Sequence, residues 1–262
     1  MVRSERGVGQ VEFVKRNATA PSGFFACEAS GLRWLAEVDA GVPCARVLAV
    51  DDASLTLERL TSSAPTDAAA REFGARLART HAAGADGFGA PPSGWDGPGF
   101  FGPLQRPLPM AYCRESSWGA FYAEHRIAPM AERASLDTET RDAVEQVIRR
   151  CSTGDFDDGD VPARLHGDLW SGNVLWTPRG VVLIDPAAHG GHREADLAML
   201  ALFGCPHLNA VIEGYQTEHR LRDGWRDRIG LHQLYPLLAH VVLFGSGYLA
   251  QTRAAAVSAC RL

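Results

Sequence analysis

The sequence predicts an α+β protein, with a small sheet-and-helix unit over roughly the first 60 residues and a larger, mostly helical remainder. Three observations carry that reading. Strand-like alternation of apolar side chains is concentrated near the N-terminus. A Ser, Thr and Pro break, TSSAPTD at 61–67, closes that unit. Beyond it the apolar residues fall at helical spacing, interrupted by one Gly/Pro-rich stretch and one pair of short apolar strands.

Taken in order, VEFVK (11–15) alternates as a strand with Val11, Phe13 and Lys15 on one side. Pro21, Ser22 and Gly23 make a turn into a helix from about Phe24 to Val38, on which Glu28, Leu32 and Leu35 share a face. A carboxylate set among core leucines needs a cation. RVLAVD (46–51) and SLTLERL (54–60) read as two further strands joined by a turn at Asp51, Asp52 and Ala53. Thr66 and Asp67 then start a helix with Ala70, Phe73, Leu77 and His81 in one stripe. The stretch 84–109, GADGFGAPPSGWDGPGFFGPLQRPLP, reads as a long ordered loop. Helices resume over Ser117–Arg133 and from Asp137, the latter with a core stripe of Val144, Val147, Ile148 and Cys151. Strands at 174–176 and 181–185 flank a turn at 177–180. His189 and His192, flanking Gly190 and Gly191, read as loop, and helices follow to the C-terminus.

Composition narrows the function classes. With 262 residues, 46% of them hydrophobic, the chain suits one large domain or two unequal lobes sharing a cleft. A net charge of −5 provides no basic field for nucleic acid and no polybasic membrane anchor. The opening MVRSERGVGQ lacks the apolar core of a secretory leader, which points to a cytoplasmic protein. The apolar run at 234–250 is interrupted by Pro236, His240, Gly245 and Gly247 and reads as a buried helix rather than a membrane span. Six cysteines without a C-x-x-C pair indicate reduced, mostly buried thiols. Lys15 is the only lysine among 26 basic residues, and the only asparagines are Asn17, Asn173 and Asn209. A chain that otherwise uses arginine has placed one compact ammonium, the shape that suits phosphate oxygens, beside a possible ligand site.

The densest polar cluster is HGDLWSGN at 166–173, set against the apolar run Val174, Leu175 and Trp176. Polar groups at a core edge are hydrogen-bonded, charge-paired or ligand-bound. The hairpin after Asn173 brings it beside Asp185, and a carboxylate with an amide oxygen suits Mg²⁺, a hard cation that leaves positions free for phosphate oxygens. Asp168 then lies across the site as acceptor for a hydroxyl proton. His166 reads as structural, holding the loop by hydrogen bonds. Trp170 packs or lines the site, and Asp196 braces loop backbone or caps a helix.

The order Lys15, Glu28, His166-x-Asp168, Asn173, Asp185 resembles the bilobal protein-kinase-like phosphotransferases. The wording of HGDLWSGNVLW, IDPAAHGGHREADLAML and FFACEASGLRWL is similar to the fructosamine kinase (ketosamine 3-kinase) family, over nearly the whole chain. Gln105, Trp118, Phe121 and Arg126 also resemble a pattern of that family. The resemblance implies a small lobe (1–60) with an antiparallel sheet and one helix, and a helical lobe (61–262) carrying the catalytic loop. It implies that Lys15, positioned by Glu28, holds ATP phosphates, and that Glu58, Arg59 and Leu60 form the hinge that bonds adenine through backbone groups. Asp168 becomes the base, and Asn173 and Asp185 the Mg²⁺ ligands. The implied acceptor is the third hydroxyl of a ketosamine, free or protein-bound, whose 3-phosphate sheds the sugar.

One departure stands out. Gly7 and Gly9 begin a G-x-G, but position 12 is Glu12, so the glycine-rich phosphate lid of the family is not matched. Two other readings share the motifs: a small-molecule phosphotransferase of the aminoglycoside, choline or homoserine kinase type, and a nucleotide-binding pseudoenzyme. The Trp170-Ser171-Gly172-Asn173 wording separates the first, and a full set of chemical residues argues against the second.

Overall fold

The structure, a computed structural model, describes residues 12–262, so Val11 and the Gly7-x-Gly9 pair lie outside the described residues. The small lobe is built from β1 (Glu12–Arg16), α1 (Phe24–Ala36), β2 (Val47–Val50) and β3 (Ser54–Glu58), with the strands antiparallel in the order β1-β3-β2. Alternation sets the register: Lys15 sits opposite Leu55, whose side chain is buried. Helix α1 starts after Gly23, whose φ of 80° suits a residue without a Cβ. It buries Phe25, Leu32 and Leu35, and Glu28 goes in on the same face.

The helical lobe opens with α2 (Asp67–Ala82), whose first turn is capped by the Thr66 hydroxyl accepting from the Ala69 amide at 3.2 Å. The Gly/Pro-rich stretch is not only loop. It contains the hairpin β4 (Gly99–Phe101) and β5 (Leu108–Met110), which turns Phe101, Leu108 and Met110 into a core. The helix expected over 117–133 forms as α3 (Trp118–Tyr122) and α4 (Ala128–Arg133), with the backbone between them, Ala123–Ile127, widened into a π-turn. Pro129 has no amide hydrogen to continue a regular ladder, which accounts for a loosened turn just before it. Helix α5 (Thr138–Ser152) is capped by Asp137.

Strands β6 (Ala163–Leu165), β7 (Val174–Thr177), β8 (Gly180–Leu183) and β9 (His189–Gly191) frame the polar segment at 166–173, with β7 paired to β8 and β6 to β9, both antiparallel. The His189–Gly191 stretch is therefore a strand rather than a loop. Its glycines permit close packing: a methyl on Gly190 would overlap the Gly87 carbonyl, and one on Gly191 the Leu165 side chain. Helices α6 (Glu194–Leu202), α7 (Leu208–Glu218), α8 (Ile229–Phe244) and α9 (Leu249–Ala259) complete the lobe. Among the described residues no helix is long and apolar enough to cross a membrane.

Two hydrophobic clusters fill the molecule. One joins α1 and β3 to α2, α7 and the β7–β8 hairpin; the other packs α3, α4 and α5 against α8 and α9. The lobes are also stitched through backbone, since Leu183 of β8 donates to the Pro43 carbonyl at 2.8 Å and accepts from Ala45 at 2.9 Å. That stitch lies two residues before Asp185.

Helices α2 and α7 touch at backbone distance. A Cβ on Gly74 would overlap the Val211 carbonyl, and one on Gly214 the Arg71 carbonyl. Gly74→Ala is therefore expected to force the helices apart, at a cost of about 2–3 kcal/mol. Thermal denaturation should register this as a midpoint lowered by about 5 °C or more; an unchanged midpoint would show that the helices separate freely.

Candidate active site

The site is the cleft between the lobes, a cavity of about 1110 Å³. Strand β1 lends it Lys15 and helix α1 lends it Glu28. The Lys15 ammonium donates to both Glu28 oxygens, at 2.8 and 2.7 Å, and stands 3.0 Å from an Asp185 oxygen. Burial alone would lower the Lys15 pKa, but the carboxylates of Glu28 and Asp185 outweigh it and hold the amine charged. Burial pushes the Glu28 carboxyl up, opposed by the same ammonium. With both side chains nearly out of water, this is a buried pair and not a screened surface contact.

The floor is the segment from β6 to β8. Gly167 adopts φ 80°, and a Cβ there would overlap the Ala187 carbonyl, so the turn between His166 and Asp168 requires glycine. Asp168 lies half-buried on the cleft floor. Desolvation and the nearby Asp185 charge push its carboxyl up to about 7, against a partial offset from Asn173. Asn173 donates its amide hydrogens to the Asp168 carbonyl at 2.8 Å, the Asp168 carboxylate at 3.3 Å and the Asp185 carbonyl at 3.4 Å. No described residue donates to its amide oxygen. Asp185 has φ 55°, a rare conformation for a residue with a Cβ, and such strain concentrates at functional positions. Strand β8 accordingly stops at Leu183, short of the Asp185 end expected from sequence.

The amide oxygen of Asn173 and the carboxylate of Asp185 are the oxygen donors here that could hold a hard divalent ion, and such a pair would leave its remaining positions to phosphate oxygens and water.

The loop is held from beneath. Asp196, at the start of α6, accepts from the His166 amide at 2.8 Å, the Gly167 amide at 2.9 Å and His81 Nε2 at 3.1 Å. These bonds keep the Asp196 carboxyl below its usual range despite burial. Because His81 Nε2 donates to a carboxylate, its Nδ1 accepts from the Tyr215 hydroxyl at 2.9 Å. His166 bonds the Ile184 carbonyl through Nε2 at 2.8 Å and accepts the Asp168 amide through Nδ1 at 3.3 Å, so it acts as a neutral strut. His81 and Tyr215 had no signal in the sequence beyond apolar helical spacing, since their partner lies 115 residues from His81.

Trp170 is half exposed on the cleft wall, with its ring over Gly172, where a Cβ would collide with the indole. That contact explains a glycine two residues after the tryptophan. Of the segment 58–60, only Arg59 lines the cleft. Glu58 has its amide bonded to the Arg46 carbonyl at 2.9 Å, and Leu60 packs against the first core.

Comparison with known proteins follows the same lines. A family model described as fructosamine kinase matches residues 3–259. The protein named "Probable ketoamine kinase" in Enterococcus faecium is 32% identical over 247 residues, covering 90% of this chain and 83% of that one. A solved Thermobifida fusca structure assigned as a fructosamine-3-kinase superposes with a TM-score of 0.88 at 46% identity, covering 96% of this chain and 86% of the other. A thermostable mutant of the aminoglycoside phosphotransferase APH(4)-Ia, at 17% identity, shares the fold with a TM-score of 0.62 over 97% of this chain and 88% of that one.

Proposed function

The chain belongs to the fructosamine kinase family, and from that premise we propose that this ATP-dependent phosphotransferase phosphorylates the third hydroxyl of a ketosamine. The observation that carries the reading is the meeting of Lys15, Glu28, Asp168, Asn173 and Asp185 around one cleft. The Lys15 ammonium, steadied by Glu28, binds phosphate oxygens. Asn173 and Asp185 would hold Mg²⁺, which supplies positive charge against the phosphates when bound. Asp168 accepts the proton of the attacking hydroxyl, a role its pKa of about 7 suits near neutrality. Asn173, bonded to that carboxylate, fixes its orientation. The segment 58–60, of which Arg59 lines the cleft, is the hinge that bonds adenine through backbone groups in this reading, with the small lobe at 1–60 and the large at 61–262. Trp170, exposed on the wall, offers an apolar face to the sugar.

The protein incubated with labelled ATP and a panel of ketosamines, aminoglycosides and amino alcohols tests the reading. Transfer to the ketosamines, followed by loss of the phosphorylated sugar from its amine, is the expected result. Transfer confined to the other acceptors would overturn it.

A further inference from the structure

Behind the catalytic loop lies a second, small cavity of about 40 Å³, lined by Trp118, Arg126, Gly167, His189, His232 and Tyr235 among others. It is polar in an unusual way. Among the described residues five buried side-chain nitrogen or oxygen atoms lack a hydrogen-bond partner, and four of them belong to residues lining this space: Arg126 Nε and Nη2, His232 Nδ1 and the Tyr235 hydroxyl. Three of these four are obligate or ready donors.

Arg126 is the centre of the problem. It is 1% exposed, and no described carboxylate lies within ion-pair distance. One terminal nitrogen donates to the Ala111 and His125 carbonyls, both at 2.9 Å, and the guanidinium lies 4.5 Å from the Phe121 ring centre and 5.7 Å from that of Tyr235. Carbonyls and ring faces ease a buried cation but do not neutralise it. Two of the carboxylates nearby are already engaged. Asp196, in the cavity wall, gives its oxygens to the loop amides and His81, and Glu194 is gripped by Arg228 at 2.9 and 2.6 Å. The π-turn at Ala123–Ile127 contains Arg126, and such turns re-aim side chains at functional positions.

We propose that this cavity is a site for one small monovalent anion of chloride size, bound by the free edge of the Arg126 guanidinium and the Tyr235 hydroxyl. The volume exceeds what a single water needs, so it admits such an ion, but not a polyhydroxy carboxylate. Met199 lines both this cavity and the nucleotide cleft. The site stands independently of which acceptor the enzyme uses.

Thermal midpoints in chloride-free buffer with added potassium gluconate, chloride or bromide at equal ionic strength test the proposal. General salt effects on burial rank gluconate as most stabilising and bromide as least. A bound halide places chloride above gluconate, against that order, and near saturation chloride is expected to raise the midpoint by about 5 °C over gluconate. Chloride NMR line broadening should saturate over the same concentrations. Tyr235→Phe, which removes only a hydroxyl, should raise the half-maximal chloride concentration about tenfold, and Arg126→Met should abolish the dependence. A general-salt order in the wild-type protein, without saturable broadening, means that only water fills the cavity and overturns the proposal. If Arg126→Met does not fold, an unshifted titration in Tyr235→Phe overturns it equally.

Discussion

Asp168→Asn is expected to lower kcat for ketosamine phosphorylation by about 10²–10⁴-fold, the range that a positioned base contributes. The same change should leave the metal-free protein as stable as before, or more stable. Asparagine matches the carboxylate in shape, and its amide oxygen can still accept from Asn173. The native carboxyl is held up near 7 by desolvation and by Asp185, whereas in the unfolded chain it ionises near 3.8. Between those values the folded protein binds the extra proton, so stability falls as pH rises through the window and the deficit persists at neutrality. Removing the charge relieves up to a few kcal/mol. Turnover assays with calorimetry in a chelator check both halves. Wild-type turnover would remove Asp168 from the base role, and a clearly lowered midpoint would contradict the burial argument.

Lys15→Met should move both quantities down. Loss of the ammonium removes a charge aimed at phosphate, for which a decrease of about 10²–10³-fold in kcat/KM for ATP is the expected scale. It also strands Glu28, 6% exposed, with no described cation in its place. Breaking a buried pair from one side costs on the order of 3–5 kcal/mol. The midpoint should therefore drop by about 6 °C or more. Lys15→Arg should not rescue activity, because a planar fork cannot occupy the point between Glu28 and Asp185 that an ammonium fills. Nucleotide titration and thermal denaturation of both variants are the measurements. An ATP dependence unchanged in Lys15→Met would disconnect this residue from the nucleotide.

What could be read in the sequence follows from range. Helix α2 announced itself through Thr66 and a regular stripe, and the Glu28–Lys15 contact through a carboxylate sharing a face with leucines. These are local patterns with one dominant cause. The β6–β9 ladder stayed hidden because each strand is three residues long and glycines mask the alternation. The Tyr215, His81 and Asp196 line joins three helices, and no spacing rule spans it. Arg126 shares the buried face of Tyr122 and Met130 at helical spacing, but an arginine carries no apolar signal, so its burial could not be read from the pattern.

The single lysine has a chemical corollary. An aldose condenses with an amine only when the nitrogen is both unprotonated and reachable, and the sole ε-nitrogen of this chain is neither: its side chain is 10% exposed and gripped by two acids. A protein whose proposed task is to free amines from sugar thus presents no lysine on its own exterior for sugar to attack.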